Sequence, residues 1–201
     1  MIKLSVRQQL EKIIKDDTQH TIGDLSKAFG EKSFAFLFLI LMILPALPLP
    51  TGGITHVLEV IVIILAAQLL VGRQNLWLPR SLKEKSLPMS LRKGMLSQVN
   101  KKLIWIERHS KRRAPHLVSS KLAIQFNAFI IIIMSLLAII APPFTGLDTL
   151  PSLSIVFISL AIILDDFYLL IVGYIAGLVG GGLIAVLGLG FIHLVSNYIL
   201  H

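Results

Sequence analysis

The stretch Pro45-Ala-Leu-Pro-Leu-Pro-Thr-Gly-Gly53 separates two apolar runs, Phe34 to Leu44 and Ile54 to Val71. Proline lacks the amide donor and its ring clashes with the preceding turn, so three closely spaced prolines must end or bend a helix here. The two glycines that follow supply a flexible turn. The residues expected to break the helix are Pro45, Pro48, Pro50 and Gly52. This stretch therefore predicts a hairpin of two apolar helices.

The same pattern recurs further along the chain, in the sequence Ala-Pro-Pro-Phe-Thr-Gly of residues 141–146, which again lies between two apolar runs. A constant offset of 94 positions, with no gap, aligns Pro48 with Pro142, Thr51 with Thr145 and Gly52 with Gly146. The second set of expected breaks is Pro142, Pro143 and Gly146. The sequence therefore predicts a duplicated, proline-broken hairpin.

The composition is that of an integral membrane protein. Of the 201 residues, 55% are hydrophobic and only 15% are charged, whereas globular proteins carry roughly 25% charged residues. All 19 Lys and Arg precede residue 122, and the last 80 residues contain only three carboxylates, Asp148, Asp165 and Asp166. A water-soluble fold cannot hide so much uncharged surface. The absence of cysteine excludes disulfides, thiolate metal sites and a cysteine nucleophile.

The predicted fold is an all-α integral membrane protein with five to six hydrophobic helices. Four regions are expected: a cytosolic amphipathic segment (1–32), a first membrane hairpin (33–72), a basic, amphipathic cytosolic or interfacial linker (73–121), and a second hairpin plus Gly-rich C-terminal helices (122–201). The linker holds 13 Lys and Arg against two Glu. Because basic segments stay in the cytosol, the N-terminus is expected there and the two hairpins should start from the same side.

Two apolar runs have lengths that leave their arrangement open. Residues 34–49 would form a helix of about 24 Å, short of the ~30 Å hydrocarbon core. They form either a tilted or thinned span, or a re-entrant hairpin that turns inside the membrane. In the uncharged run 167–200, small residues at every fourth position favour one closely packed helix over about 167–187, followed by a short crossing or interfacial piece. These small residues are Gly173, Gly177, Gly181 and Ala185.

Glu59 is the strongest functional candidate, because ionisable groups within membrane segments are costly and usually functional. Thr55 and His56 precede it by four and three residues and so share its helix face. This grouping suggests a proton-linked transport site; the alternative is that Glu59 lies close to the outer surface and simply reaches water. Asp148, Asp165 and Asp166 complete the candidate polar transport site, although a solvated loop is the favoured interpretation of the last two.

Other polar side chains have simpler interpretations. Gln68, Gln125 and Asn127 are expected to form hydrogen bonds between helices. His56 and Glu59 are too few for a metal site, which needs three or four protein ligands. No catalytic constellation, metal site or cofactor is predicted, and the chain is not expected to be an enzyme.

Several motifs resemble the ExoD family of bacterial membrane proteins of exopolysaccharide synthesis, over nearly the whole chain. They are Leu44-Pro-x-x-Pro-x-Pro50, Ala67-Gln-Leu-Leu-x-Gly-Arg73, Trp77-Leu-Pro79, Ala141-Pro-Pro143, Leu160 to Leu164 with Asp166, and Thr21-x-Gly-Asp-Leu25 with Gly30-Glu31. The resemblance implies a location in the bacterial inner membrane and an association with exopolysaccharide production. It supplies no catalytic residues.

Two functions from different classes follow. The first is a transporter or flippase-like component that acts on lipid-linked or ionic substrates. The second is a non-catalytic scaffold or assembly factor for a polysaccharide-synthesis complex. The expected partners are the bilayer with its anionic headgroups, and either a second copy of the chain or proteins of polysaccharide synthesis. The net charge of +8 follows the membrane topology, so no nucleic acid is expected.

Overall fold

The computed structural model describes residues 32–48, 54–73, 76–77, 115–141 and 146–199, and all regular elements within these ranges are α-helices. The helices are α1 (Lys32–Met42), α2 (Ile54–Leu70), α3 (Pro115–Ser119), α4 (Lys121–Ile140), α5 (Thr149–Leu164) and α6 (Phe167–Ile199). The expected all-helical class is confirmed for these ranges. The amphipathic N-terminal segment up to residue 31, most of the basic linker, and Pro50, Gly52, Pro142 and Pro143 lie outside the described residues.

Both apolar runs that precede a proline cluster stop being helical before the first proline. Helix α1 ends at Met42, and the chain then turns, with the amide of Ala46 donating to the Met42 carbonyl at 3.0 Å. Helix α4 ends at Ile140. Its start is fixed by Ser120, whose hydroxyl accepts a hydrogen bond from the amide of Ala123 at 3.3 Å, as an N-cap residue does.

The helices form a bundle with two distinct ends, which can be traced through two contacts. Lys32, the first residue of α1, pairs with Asp165 directly after α5 at 2.9 Å. Gln125, in the second turn of α4, donates to the carbonyl of Leu70, the last residue of α2, at 2.9 Å. Ser119, just before α4, also donates to Asp165, so both contacts lie at one end of the bundle. This end, called the Lys32 end, contains the starts of α1, α4 and α6 and the ends of α2 and α5. The opposite end is called the Glu59 end.

Within the described residues, two helices are long and apolar enough to cross a membrane: α4, with 20 residues, and the Phe167–Gly188 part of α6, with 22 residues. Helices α1, α2 and α5 are apolar but shorter. These lengths and compositions are compatible with a membrane protein. Helix α2 packs mainly on α4, whereas α5 packs mainly on α6 and α1.

Helix α6 differs from its prediction, because it continues without interruption to Ile199, over 33 residues or about 50 Å. The glycines at 180–182 lie inside the helix. No separate C-terminal piece begins at residue 188.

Part of the predicted small-residue stripe of α6 packs against other helices of the same chain. A Cβ on Gly173 would lie 2.9 Å from Ile158, and one on Gly177 would lie 2.8 Å from Ser154 Oγ, so α6 packs closely against α5 at these two positions. Ala185, by contrast, is exposed. An α-helix has 3.6 residues per turn, so a strict spacing of four drifts off the contact face, and Ile184 is the buried residue at that level.

Candidate functional site

Glu59 lies in the second turn of α2 and is fully buried, with 0% of its surface exposed. It shares the buried face of α2 with Thr55, one turn earlier, and with Val62. A hydrogen bond of 3.0 Å joins Glu59 Oε2 to Nδ1 of His56, whose side chain is 33% exposed. Glu59 Oε1 has no hydrogen-bond partner. The interpretation that Glu59 simply reaches water does not fit this burial.

The register between α2 and α4 brings Ser135 to the level of Glu59. The two helices run antiparallel through the contact of Gln125 with Leu70. Glu59 precedes Leu70 by 11 residues, about 16 Å along α2, and Ser135 follows Gln125 by 10 residues, about 15 Å along α4. Ser135 is fully buried, and its hydroxyl has no hydrogen-bond partner.

Helix α5 contributes two more serines at the same level. A Cβ on Gly177 would lie 2.8 Å from Ser154 Oγ and 2.9 Å from Met134 Sδ, so Ser154 is level with the residue before Ser135. Ser152 lies half a turn further toward the Glu59 end. Both serines are fully buried, and their hydroxyls have no hydrogen-bond partner.

We call these four buried side chains the Glu59 layer: Glu59, Ser135, Ser152 and Ser154. A buried polar atom without a partner costs about 1–3 kcal/mol, and native folds contain few of them. Four such oxygens at one level of an apolar bundle therefore mark the layer as a place suited to a polar ligand. The serines did not stand out in the sequence, because single serines are common in apolar helices; only the helix register brings them together.

Asp148 lies at the rim of this layer, in the residue directly before α5. Its side chain makes no capping hydrogen bond to the helix. It is close enough to interact electrostatically with Glu59. Thr55, His56, Glu59 and Asp148, four of the six residues predicted for the transport site, thus lie at the Glu59 end.

Asp165 and Asp166 lie at the opposite end, and they do not form a solvated loop. Their exposed fractions are 9% and 3%. Asp165 pairs with Lys32, which also donates to the carbonyl of Ile163 at 3.1 Å, and it accepts a hydrogen bond from Ser119 Oγ. The solvated-loop expectation was wrong because it overlooked Lys32 and Ser119, two polar groups that only the tertiary fold brings to Asp165.

Asp166 has a separate role at the start of α6. Its Oδ1 accepts a hydrogen bond from the amide of Tyr168 at 2.9 Å, which satisfies one of the free donors of the first turn. The two adjacent aspartates therefore act in different ways: one fastens α1 and α3 to α5, and the other caps α6.

The expected hydrogen bonds between helices are confirmed for two residues. Gln125 bonds α4 to the end of α2, and Asn127 Oδ1 accepts a hydrogen bond from the Tyr174 hydroxyl of α6 at 2.6 Å. Gln68 bonds instead to the backbone amide of Trp77, nine residues further along, at 2.9 Å. It fixes the segment that leaves α2 and does not bridge two helices.

The model of the family described as "Exopolysaccharide synthesis, ExoD" matches residues 6–186, which is most of the chain. The chain belongs to the ExoD family. A similar protein, an uncharacterised protein of Synechocystis sp., is 32% identical over 167 residues, which are 83% of this chain and 76% of that protein. No solved structure matches the chain. Membership of the ExoD family associates the chain with exopolysaccharide synthesis.

Proposed function

We propose that this ExoD-family chain is a multi-pass inner-membrane protein that moves an ion across the membrane and couples it to a transport step of exopolysaccharide synthesis or export. The observation that carries the proposal is Glu59, a fully buried carboxylate with one unpartnered oxygen. Burying such a group stabilises nothing by itself, since an isolated charge pays a large desolvation penalty. Its position inside an apolar bundle is typical of ion and proton pathways.

The distribution of polarity supports a membrane location. The outward faces of the long helices carry large apolar side chains, with exposed fractions of 80% for Leu122 and 75% for Leu178. The interior holds fully buried polar residues such as Glu59 and Asn127. Water would favour the opposite arrangement, whereas lipid solvates the apolar exterior.

The positions of the basic segments support the orientation. All 19 Lys and Arg lie within residues 1–32 and 73–121. Both segments join the bundle at the Lys32 end, where α1 begins, α2 ends and α3 leads into α4. By the positive-inside rule this end faces the cytosol, the N-terminus is cytosolic, and Glu59 lies toward the periplasm.

The helix bounds support the duplicated hairpin. Moved by 94 positions, α2 (Ile54–Leu70) would occupy residues 148–164, and α5 is Thr149–Leu164. The two hairpins also pack crosswise: the first helix of one, α1, packs on the second helix of the other, α5, and α2 packs on α4. Helix α1, with 11 residues, is only about 16 Å long, roughly half the hydrocarbon core. This length favours a first hairpin that turns within the membrane.

The experiment that tests the proposed function uses purified protein in proteoliposomes and an exopolysaccharide-producing bacterium that depends on this chain. Glu59→Gln should abolish ion-driven flux in the vesicles and lower exopolysaccharide output in cells, at normal protein level. The matched control is Val60→Ala, because Val60 is adjacent on α2 but 48% exposed. Flux and output that survive Glu59→Gln would contradict the proposal.

The second candidate, a membrane scaffold, has less support in the described residues. A scaffold would offer partners the small-residue stripe of α6 and the basic linker as binding surfaces. Gly173 and Gly177 are instead in contact with α5 of the same chain, so Gly177→Ile would disturb the fold before it disturbed a complex. The scaffold's other support, the basic linker, lies largely outside the described residues.

A further inference from the structure

We infer that the Glu59 layer binds one small monovalent cation, with Na⁺ as the best match, and that this cation is the coupling ion. The inference rests on the proposed function and names its ion. The site would be formed by Glu59 Oε1 together with the hydroxyl oxygens of Ser135 and Ser152. All three side chains are fully buried, and all three of these oxygens lack a hydrogen-bond partner.

Ser152 lies in the first turn of α5, at the end of the bundle where Glu59 lies. Ser152 follows Asp148 by four residues, so both side chains lie on the same face. Asp148 is close enough to Glu59 to interact with it electrostatically, so the first turn of α5 lies near Glu59. Ser154 lies on another face of α5, against Gly177 of α6, and belongs to the outer part of the layer.

The kinds of oxygen in the layer match a hard cation of low charge. Hard cations prefer carboxylate, carbonyl and hydroxyl oxygens, whereas transition metals prefer imidazole and thiolate. Within the described ranges, no group of three or more His, Asp or Glu could hold a metal ion. A divalent ion would also need more negative charge than one buried carboxylate supplies.

A proton on Glu59 would explain less of the site than a cation does. Protonation neutralises the carboxylate and gives it one O–H donor, which can serve one hydroxyl, so at least one of Ser135 and Ser152 stays without a partner. A cation between these oxygens balances the charge and satisfies their lone pairs together. Among the described residues, the charged and titratable groups near the layer are His56, bonded to the other carboxylate oxygen, and Asp148 at its rim. His56 holds Glu59 Oε2, so Oε1 remains directed to the layer.

The test measures binding of ²²Na⁺ to the full-length purified protein in detergent at constant neutral pH. We expect saturable binding to a single site, lost with Glu59→Gln and at least about tenfold weaker with Ser135→Ala or Ser152→Ala, since each removes one ligand. Ser159→Ala is the matched control, because Ser159 is equally buried on α5 but its hydroxyl already donates to the carbonyl of Ile155 at 2.6 Å. Binding should persist in this variant.

A second measurement guards against variants that fail to fold. In the wild-type protein, Na⁺ should raise the melting temperature more than K⁺ or choline at equal ionic strength, because a ligand that binds only the folded state stabilises it. An equal effect of all three salts would overturn the cation site. So would ²²Na⁺ binding that is unchanged in Glu59→Gln.

The two proposals can fail separately. If vesicles show proton flux that needs Glu59 but the protein binds no ²²Na⁺, the cation site is wrong and the proposed function stands. If neither ion moves and none binds, both are wrong.

Discussion

Lys32 and Asp165 are 133 residues apart in the chain and form an ion pair of 2.9 Å. The pair fastens the start of α1 to the end of α5, so it joins the first hairpin to the second. Both side chains are partly shielded, with exposed fractions of 26% and 12%. Asp165 also adopts a left-handed backbone conformation, with φ of 55°, which is uncommon outside glycine. The left-handed conformation therefore occurs at the residue that forms the ion pair with Lys32.

Removing the lysine should weaken the bundle. Lys32→Met leaves the Asp165 carboxylate with one fewer charged partner, and hydrogen bonds to charged groups contribute about 1.5–3 kcal/mol. We expect a loss of stability of this order, seen as a lower melting temperature in detergent by fluorescence-detected gel filtration. Lys121→Met is the control, because Lys121 is exposed at the same end. Equal effects of the two variants would show that the ion pair contributes nothing specific.

The N-cap of α6 should contribute to stability independently of this ion pair. Asp166→Ala removes the acceptor for the Tyr168 amide, and loss of an N-cap costs about 1 kcal/mol. Asp166→Asn should retain most of the stability, because asparagine caps helices as well as aspartate does. Thermal unfolding of both variants measures the difference. If Asn is as harmful as Ala, the charge of Asp166 matters more than its capping hydrogen bond.

How far the sequence predicts this molecule depends on whether a feature is local. The helix ends before the proline clusters follow from the chemistry of proline itself, and α1 and α4 stop at Met42 and Ile140. Glu59 could be chosen from the sequence because a lone carboxylate inside an apolar run is rare and costly. Both inferences need only neighbouring residues.

The features that escaped prediction depend on distant parts of the chain. Lys32 and Ser119 meet Asp165 only through the packing of α1 and α3 against α5, and no spacing rule relates them. The serines of the Glu59 layer are ordinary in sequence and become distinctive only when the helix register aligns them. The close approach of Gly180 to Leu150 likewise depends on the packing of α6 against α5, because Gly180 is not part of the predicted small-residue stripe.

The glycines of α6 should differ sharply in their tolerance of a methyl group. Gly180→Ala would place its Cβ 2.8 Å from Leu150 and 3.0 Å from the backbone nitrogen of Pro151, which cannot move aside cheaply. We expect a destabilisation of about 1–3 kcal/mol from this overpacking. Gly182→Ala is the matched control, since nothing lies within 4 Å of its Cβ and alanine favours helix. Melting temperatures should therefore fall for the first variant and hold or rise for the second.

The hydrogen bond between Tyr174 and Asn127 should connect α6 to α4 energetically. Asn127 is fully buried, and its Nδ2 has no partner, so Tyr174→Phe would leave the whole amide without one. We expect a loss of about 1–3 kcal/mol. Asn127→Leu combined with Tyr174→Phe should lose less than the sum of the two single variants, because an apolar pair needs no hydrogen bond. Strict additivity in this double-mutant cycle would contradict a direct coupling.

The two ends of the bundle should face opposite sides of the membrane, and reporter fusions can test this. Fusions directly after Arg73 and after Asp166 fall at the Lys32 end, so a cytosolic fluorescent reporter should be active and a periplasmic phosphatase inactive there. A fusion after Asp148 falls at the Glu59 end and should give the reverse result. The fusion after Asp166 is the most informative, because the contact of Asp165 with Lys32 predicts that residue 166 lies on the same side of the membrane as the start of α1. Phosphatase activity at 166 with fluorescence at 73 would place two points of the Lys32 end on opposite sides of the membrane and overturn this arrangement. A fusion at 53 that is silent for both reporters, beside an active one at 148, would favour a first hairpin that turns within the bilayer.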